Sequence, residues 1–142
     1  GAYAADLRDV LAFVPGLVLT MTTEAELAEK GAGELPADLA RHGVAWRHLP
    51  IPDFGAPDQA VAALWPEAAA QARAVLAGGG KVLIHCMGGC GRSGMAALRL
   101  MIEAGEEPSA ALARLRVVRP CAVEMPEQFA WASGGAIGSG AL

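Results

Sequence analysis

Apolar positions along the chain follow helical and strand rhythms in turn. Tyr3, Leu7, Val10, Leu11 and Val14 recur at helical spacing, so Ala2 to Val14 is read as a helix. Gly16 breaks the pattern, and Leu17 to Thr22 reads as a short buried strand rich in branched residues. Thr23 with Glu26 three positions on has the form of a capping box, opening a brief helix through Leu27 and Glu29. Pro36 to His42 gives another helix, stopped by Gly43. Val44 to Ile51 fits a strand imperfectly and ends at Pro50 and Pro52, because proline donates nothing to a ladder. Asp58 is placed as the N-cap of a long helix reaching about Ala77, which Pro66 must kink or split. Gly78-Gly79-Gly80 terminates it, and Lys81 to His85 carries the plainest strand pattern in the chain. A glycine-rich turn follows, then helices over about Arg92–Glu103, Pro108–Arg119 and Glu127–Ala132. Strands alternating with helices predict an α/β fold: a single domain over residues 1–132, with a mostly parallel central sheet flanked by helices on both faces. Residues 133–142, rich in Gly, Ala and Ser, are read as a flexible tail.

Composition narrows the function classes. A chain of 142 residues with 54% apolar and 18% charged side chains builds one packed core and is not intrinsically disordered. The longest apolar stretch, Val10 to Met21, is interrupted by Pro15 and Gly16 and falls short of a bilayer span. Fifteen acidic against eleven basic residues give a net charge of −4, which argues against nucleic acid or an anionic membrane as partner. No basic patch leads into an uninterrupted apolar run, so no secretory leader is expected and the cytoplasm is the expected location. Three cysteines, an odd number, do not make a disulfide framework, and two of them share one glycine-rich segment. That clustering points to chemistry in a reducing compartment.

The chemistry centres on His85-Cys86-Met87-Gly88-Gly89-Cys90-Gly91-Arg92-Ser93, between the last strand and its helix. In open α/β sheets ligands gather at the carboxyl ends of strands, where Cys86 falls. Glycines let successive N–H groups turn inward as an anion-binding nest, and the helix beginning near Arg92 aims its positive end at the same place. Arg92 can hold two phosphate oxygens in its planar fork. Cys86 lies in that positive field, which favours its thiolate. A Cys–Arg spacing alone means little. A strand before, glycines between, a hydroxyl after and a helix beyond give it meaning, whereas a merely structural cysteine leaves Arg92 and the glycines without a purpose.

His-Cys, five residues, then Arg-Ser resembles the signature loop of the cysteine-dependent protein tyrosine phosphatases. With Pro50-Ile51-Pro52-Asp53-Phe54-Gly55-Ala56-Pro57-Asp58 upstream, the chain is most similar to the dual-specificity branch, in the kinase-associated phosphatase (cyclin-dependent kinase inhibitor 3-like) group. Weaker similarity at Thr23 to Leu27 and at Arg119-Pro120 extends it over roughly Leu17 to Ala130. The resemblance implies phosphate monoester hydrolysis through a phosphocysteine. Cys86 is the nucleophile, and Arg92 with the loop from Met87 through Gly88, Gly89, Cys90 and Gly91 binds phosphate. Asp53 is the general acid and then the base, and Ser93 helps the sulfur leave. Asp58 competes for the acid role, although capping accounts for it. By resemblance, His85 bonds the backbone near Cys86 and braces the loop, and Gln128 matches a glutamine that orients the hydrolytic water; otherwise Gln128 is a solvent-facing helix residue. Phe54 lines the pocket mouth or packs into the core. Cys90 stands where the family usually has leucine and is weighed as a disulfide partner for Cys86. Cys121 is expected to be structural, as are His42 and His48 unless they lie at the surface.

No metal or cofactor is called for. The loop lacks the lysines with which inositol-lipid phosphatases meet extra phosphates, and no insert deepens the pocket for phosphotyrosine alone. A phosphoprotein or a small phosphate monoester is the expected partner, with phosphate-like anions in the loop and neither nucleic acid nor membrane. The group's link to a cyclin-dependent kinase is not carried over, since no residue encodes that interface recognisably. Two other readings remain: a catalytically silent phosphoprotein-binding module, and a rhodanese-like sulfur transferase, whose active loop is usually shorter.

Overall fold

The central strand of the sheet buries both of its faces, and the architecture follows from that. In the computed structural model, which describes residues 2–86 and 90–137, β1 (Leu17–Thr20) lies between β2 (Ala45–His48) and β3 (Val82–His85). Both pairings are parallel, with Thr20 opposite His48 on one side and His85 on the other. Around the sheet run α1 (Ala2–Phe13), α2 (Glu24–Glu29), α3 (Leu35–Arg41), α4 (Gln59–Ala62), α5 (Trp65–Ala77), α6 (Gly91–Glu103), α7 (Pro108–Val118) and α8 (Pro126–Ile137). Side chains alternate across a strand. Leu17 and Leu19 of β1, with Met21 beyond it, enter the larger core with Trp65, Ala68, Met95, Leu98 and Ala132. Val18 enters a smaller one with Leu27, Leu35 and Leu39, over which α1 lays Leu7 and Val10. Each buried leucine contributes on the order of 2 kcal/mol, so a polar residue on either face of β1 would be costly. The expected α/β fold with helices on both faces is the observed one.

Local signals act as read. Thr23 and Glu26 form a complete capping box for α2. Asp58 caps α4, its Oδ1 accepting from the Val61 N–H at 2.8 Å. Pro66, without an N–H, stands in the first turn of α5 and divides the expected single helix in two. The strands are shorter than their apolar runs, although Leu49 N–H to Thr20 O at 2.8 Å and Ile51 N–H to Met21 O at 3.2 Å carry pairing beyond β2.

The carboxyl end is a correction. The flexible tail expected from Ser133 is helical through Ile137, and α8 begins at Pro126. Its small residues let it lie against α6. Ala132 is fully buried, and a Cβ placed on Gly134 would sit 3.4 Å from the Arg99 guanidinium. Arg99 in turn donates to Trp131 O at 2.9 Å. Small side chains read as loop composition, but here they mark a close helix contact. Among the described residues no helix is long and apolar enough to cross a membrane.

Candidate active site

Because all three strands run the same way, the segments that follow them meet at one edge of the sheet. Cys86 leaves β3 there. Its Sγ accepts from the Ser93 N–H at 3.4 Å, and its thiol donates to Ser93 Oγ at 3.3 Å. Ser93 Oγ also donates to Cys90 O at 3.4 Å, so the hydroxyl is oriented by the loop it serves. The sulfur thus faces a backbone N–H in the first turn of α6, where the helix end is positive. Three expected phosphate-binding positions, Met87, Gly88 and Gly89, lie outside the described residues.

Arg92 is buried, 1% exposed, and its guanidinium is gripped from two sides. Nη1 and Nη2 donate to the two carboxylate oxygens of Glu26 at 2.7 and 2.9 Å, and Nη1 also donates to Ile51 O at 2.7 Å. Glu26 is the capping-box residue of α2, so one carboxylate closes the helix and orients the arginine. The hydrogen bond from Arg92 holds the Glu26 carboxyl down at about 2, against a burial effect that opposes it. The same bond raises Arg92, with further help from the charges of Glu26, Asp53 and Cys86.

Asp53 reaches this cluster. Its Oδ1 lies 3.7 Å from Arg92 Nη2 and accepts from the Phe54 N–H at 3.0 Å, while about half of its side chain stays open to solvent. It sits in a turn closed by Gly55 N–H to Pro52 O at 2.9 Å. A Cβ on Gly55 would come within 2.9 Å of that same Pro52 oxygen, so glycine is required there. Phe54 adopts φ +62°, a left-handed backbone unusual for an aromatic residue, and is 55% exposed. It therefore does not pack into the core. Asp58 is occupied as a helix cap.

His85 braces the sheet. Its Nε2 meets Thr20 Oγ1 at 2.7 Å, and that oxygen also accepts from Trp46 Nε1 at 2.7 Å. Thr20 Oγ1 thereby ties the side chains of β2 and β3 together across the central strand. Burial, with a smaller contribution from His48, lowers the His85 pKa. Among the described contacts, the expected bond to backbone beside Cys86 is replaced by this cross-strand one. His48 Nε2 bonds Thr22 O at 2.6 Å and His42 Nδ1 bonds Asp38 O at 2.9 Å, both structural.

The segment between α7 and α8 holds what the sequence least disclosed. Cys90 is bonded to Cys121, with Cα atoms 5.5 Å apart, and Cys86 takes no part. This corrects the Cys86–Cys90 pairing, and it gives Cys121, expected to be structural, its partner. The bond is possible because residues 121–124 lie directly on α6. A Cβ on Gly94 would fall 2.6 Å from Ala122 Cα, and one on Gly91 would collide with the Glu124 carboxylate and fall 2.8 Å from its Cγ. Gly91, read as part of the anion nest, is therefore also a packing glycine. Arg116 donates to the carbonyls of Ala122 at 2.9 Å and Val123 at 2.6 Å, holding Val123 at φ +62°. Gln128, for which a solvent-facing helix position was the alternative to a role at the hydrolytic water, is completely buried: Oε1 accepts from Glu124 N–H at 2.7 Å and Met125 N–H at 3.2 Å, and Nε2 donates to Gly55 O at 3.0 Å. A sequence signal existed. Pro126 suits the first position of a helix, and a glutamine two residues later reaches back to the N-cap amide as half of a capping box.

The fold is similar to that of solved phosphatases. Kinase-associated phosphatase carrying serine for its catalytic-site cysteine superposes with a TM-score of 0.72 at 27% identity, over 83% of this chain and 66% of that one. Tk-PTP in its active form gives 0.72 at 33% identity, over 91% and 83%. Fold and loop therefore define a relative of the dual-specificity phosphatases. The cyclin-dependent kinase inhibitor 3 family model matches residues 6–112, and the chain belongs to that family. Cyclin-dependent kinase inhibitor 3 of Mus musculus is 36% identical over 103 residues, 72% of this chain and 47% of that protein. The chain spans about half the length of that curated relative.

Proposed function

We propose that the chain hydrolyses phosphate monoesters through a phosphocysteine, as a protein tyrosine or dual-specificity phosphatase. The observation that carries this reading is the convergence of Asp53 on Arg92, at 3.7 Å, beside a Cys86 sulfur already held by Ser93. An anion-binding module needs the arginine but not a carboxylate at its rim.

In the first step the Cys86 thiolate attacks phosphorus, an S–P bond forms and the ester P–O bond breaks. Protonated Asp53 gives its proton to the departing oxygen. Arg92 and the loop amides bind the equatorial oxygens over which transition-state charge is spread. In the second step a water attacks phosphorus, loses its proton to the Asp53 carboxylate and displaces the sulfur. Ser93 Oγ then donates to the returning thiolate. A phosphoprotein, or a small phosphate monoester, supplies the substrate.

The test is hydrolysis of p-nitrophenyl phosphate with reductant and EDTA present. Cys86→Ser is expected to abolish turnover. On phenyl phosphate, whose leaving group needs a proton, Asp53→Asn is expected to lower turnover by roughly a hundredfold, the lower end of what a positioned acid supplies. Wild-type protein that is folded and binds vanadate but turns nothing over would overturn the proposal in favour of phosphoprotein docking.

A further inference from the structure

We infer that Gln128 is a positioning residue for Asp53, acting in the first chemical step through the turn that carries the acid; this rests on the phosphatase reading above. The amide is fully buried, and its orientation is decided by its partners. Two backbone N–H groups, of Glu124 and Met125, point at Oε1, and a carbonyl, Gly55 O, faces Nε2. Reversing the amide would set donors against donors and an acceptor against an acceptor.

What this bond controls follows from the turn. Asp53 lies between Pro52 and Gly55, whose mutual bond closes the loop around it. The amino-terminal side is held at Ile51, whose carbonyl accepts from Arg92 and whose N–H donates to Met21 O. The carboxyl-terminal side is held at Gly55 by Gln128. Between these two anchors Phe54 is kept at φ +62°, a conformation that an unrestrained loop would leave. The far end of Gln128 grips the segment that Cys121, Ala122 and Glu124 hold against the first turns of α6. The acid turn is thereby located relative to the nucleophile's own helix. Removing the Gly55 anchor leaves Asp53 near the site but without a fixed direction.

Gln128→Glu isolates the bond. Ionised, the carboxylate still accepts from Glu124 and Met125 but cannot donate to Gly55 O, while Gln128→Ala removes both ends whatever the protonation state. Each variant, checked for folding by circular dichroism, is compared with wild type on p-nitrophenyl phosphate, whose leaving group needs little protonation, and on phenyl phosphate, which needs it. We expect kcat/KM to fall roughly tenfold or more on phenyl phosphate and less than about threefold on p-nitrophenyl phosphate, a fraction of what a general acid supplies. Asp53→Asn is expected to show the same dependence on the leaving group, and Gln128→Glu should add little to it. Equal losses on both substrates with a burst of phenol and accumulating phosphocysteine would overturn the inference and assign Gln128 to the hydrolytic water. Unchanged rates for Gln128→Ala would overturn it as well. Wild-type protein without turnover would overturn the phosphatase reading and this inference together, whereas wild-type turnover abolished by Cys86→Ser leaves a Gln128 failure to stand alone.

Discussion

At the scale of the residue, Glu26 shows how one carboxylate joins local structure to the site. Its place in the capping box was legible from Thr23 three positions earlier; its grip on Arg92, 66 residues away, was not. No periodicity links positions so far apart, and the cap alone accounted for the glutamate. A carboxyl held at about 2 instead of 4.5 is worth on the order of 3 kcal/mol at neutral pH. The folded-state pKa is depressed, so this stability is present above about pH 4.5 and is lost as pH falls toward 2. Urea unfolding at a series of pH values should show that loss, and the substitution Glu26→Gln should flatten it. The same variant loosens a buried arginine and should reduce turnover of p-nitrophenyl phosphate by at least roughly tenfold, as expected for a fork that has lost its charged partner. Full activity with an unchanged acid limb would mean that Arg92 is oriented by Ile51 alone.

At the scale of the element, the α7–α8 segment accounts for most of what the sequence did not disclose. Cys121 looked structural and isolated, because a pairing over 31 positions has no local signature. Gly91 and Gly94 looked like loop and helix glycines, yet both admit another stretch of chain. Two consequences are measurable. Reducing the disulfide, or replacing Cys121 with serine, should lower stability to urea by on the order of 3–4 kcal/mol, the cost of releasing a loop of this length. Gly94→Ala places a methyl 2.6 Å from Ala122 and should cost about 1–3 kcal/mol by overpacking. A Gly94→Ala variant as stable as wild type would show that the segment gives way freely. The end of α8 carries the same lesson: Ser133 and Gly134 resemble a tail in composition and act as a contact surface in the helix.

At the scale of the molecule, the architecture was read well because its signals are local. The apolar run of β1, the Thr23 and Asp58 caps, Pro66 and the three glycines before β3 each act within a few residues. Cys86, Ser93 and Arg92 were legible for the same reason, since one strand–turn–helix unit holds them. Asp53 was found by resemblance alone, and only the parallel sheet, by bringing the ends of β2 and β3 to one edge, explains why it can meet Arg92. Gln128 sits 73 positions from its Gly55 partner, and its site is written in tertiary contact. The central claim is that phosphate passes through Cys86. The most direct measurement mixes enzyme with p-nitrophenyl phosphate, quenches with acid within the first turnover and maps the phosphorylated residue by peptide mass spectrometry. The account predicts phosphate on Cys86 in wild type, more of it in a variant slow in the second step, and none in Cys86→Ser. Steady turnover with no phosphate on Cys86, or with turnover surviving Cys86→Ser, would contradict it.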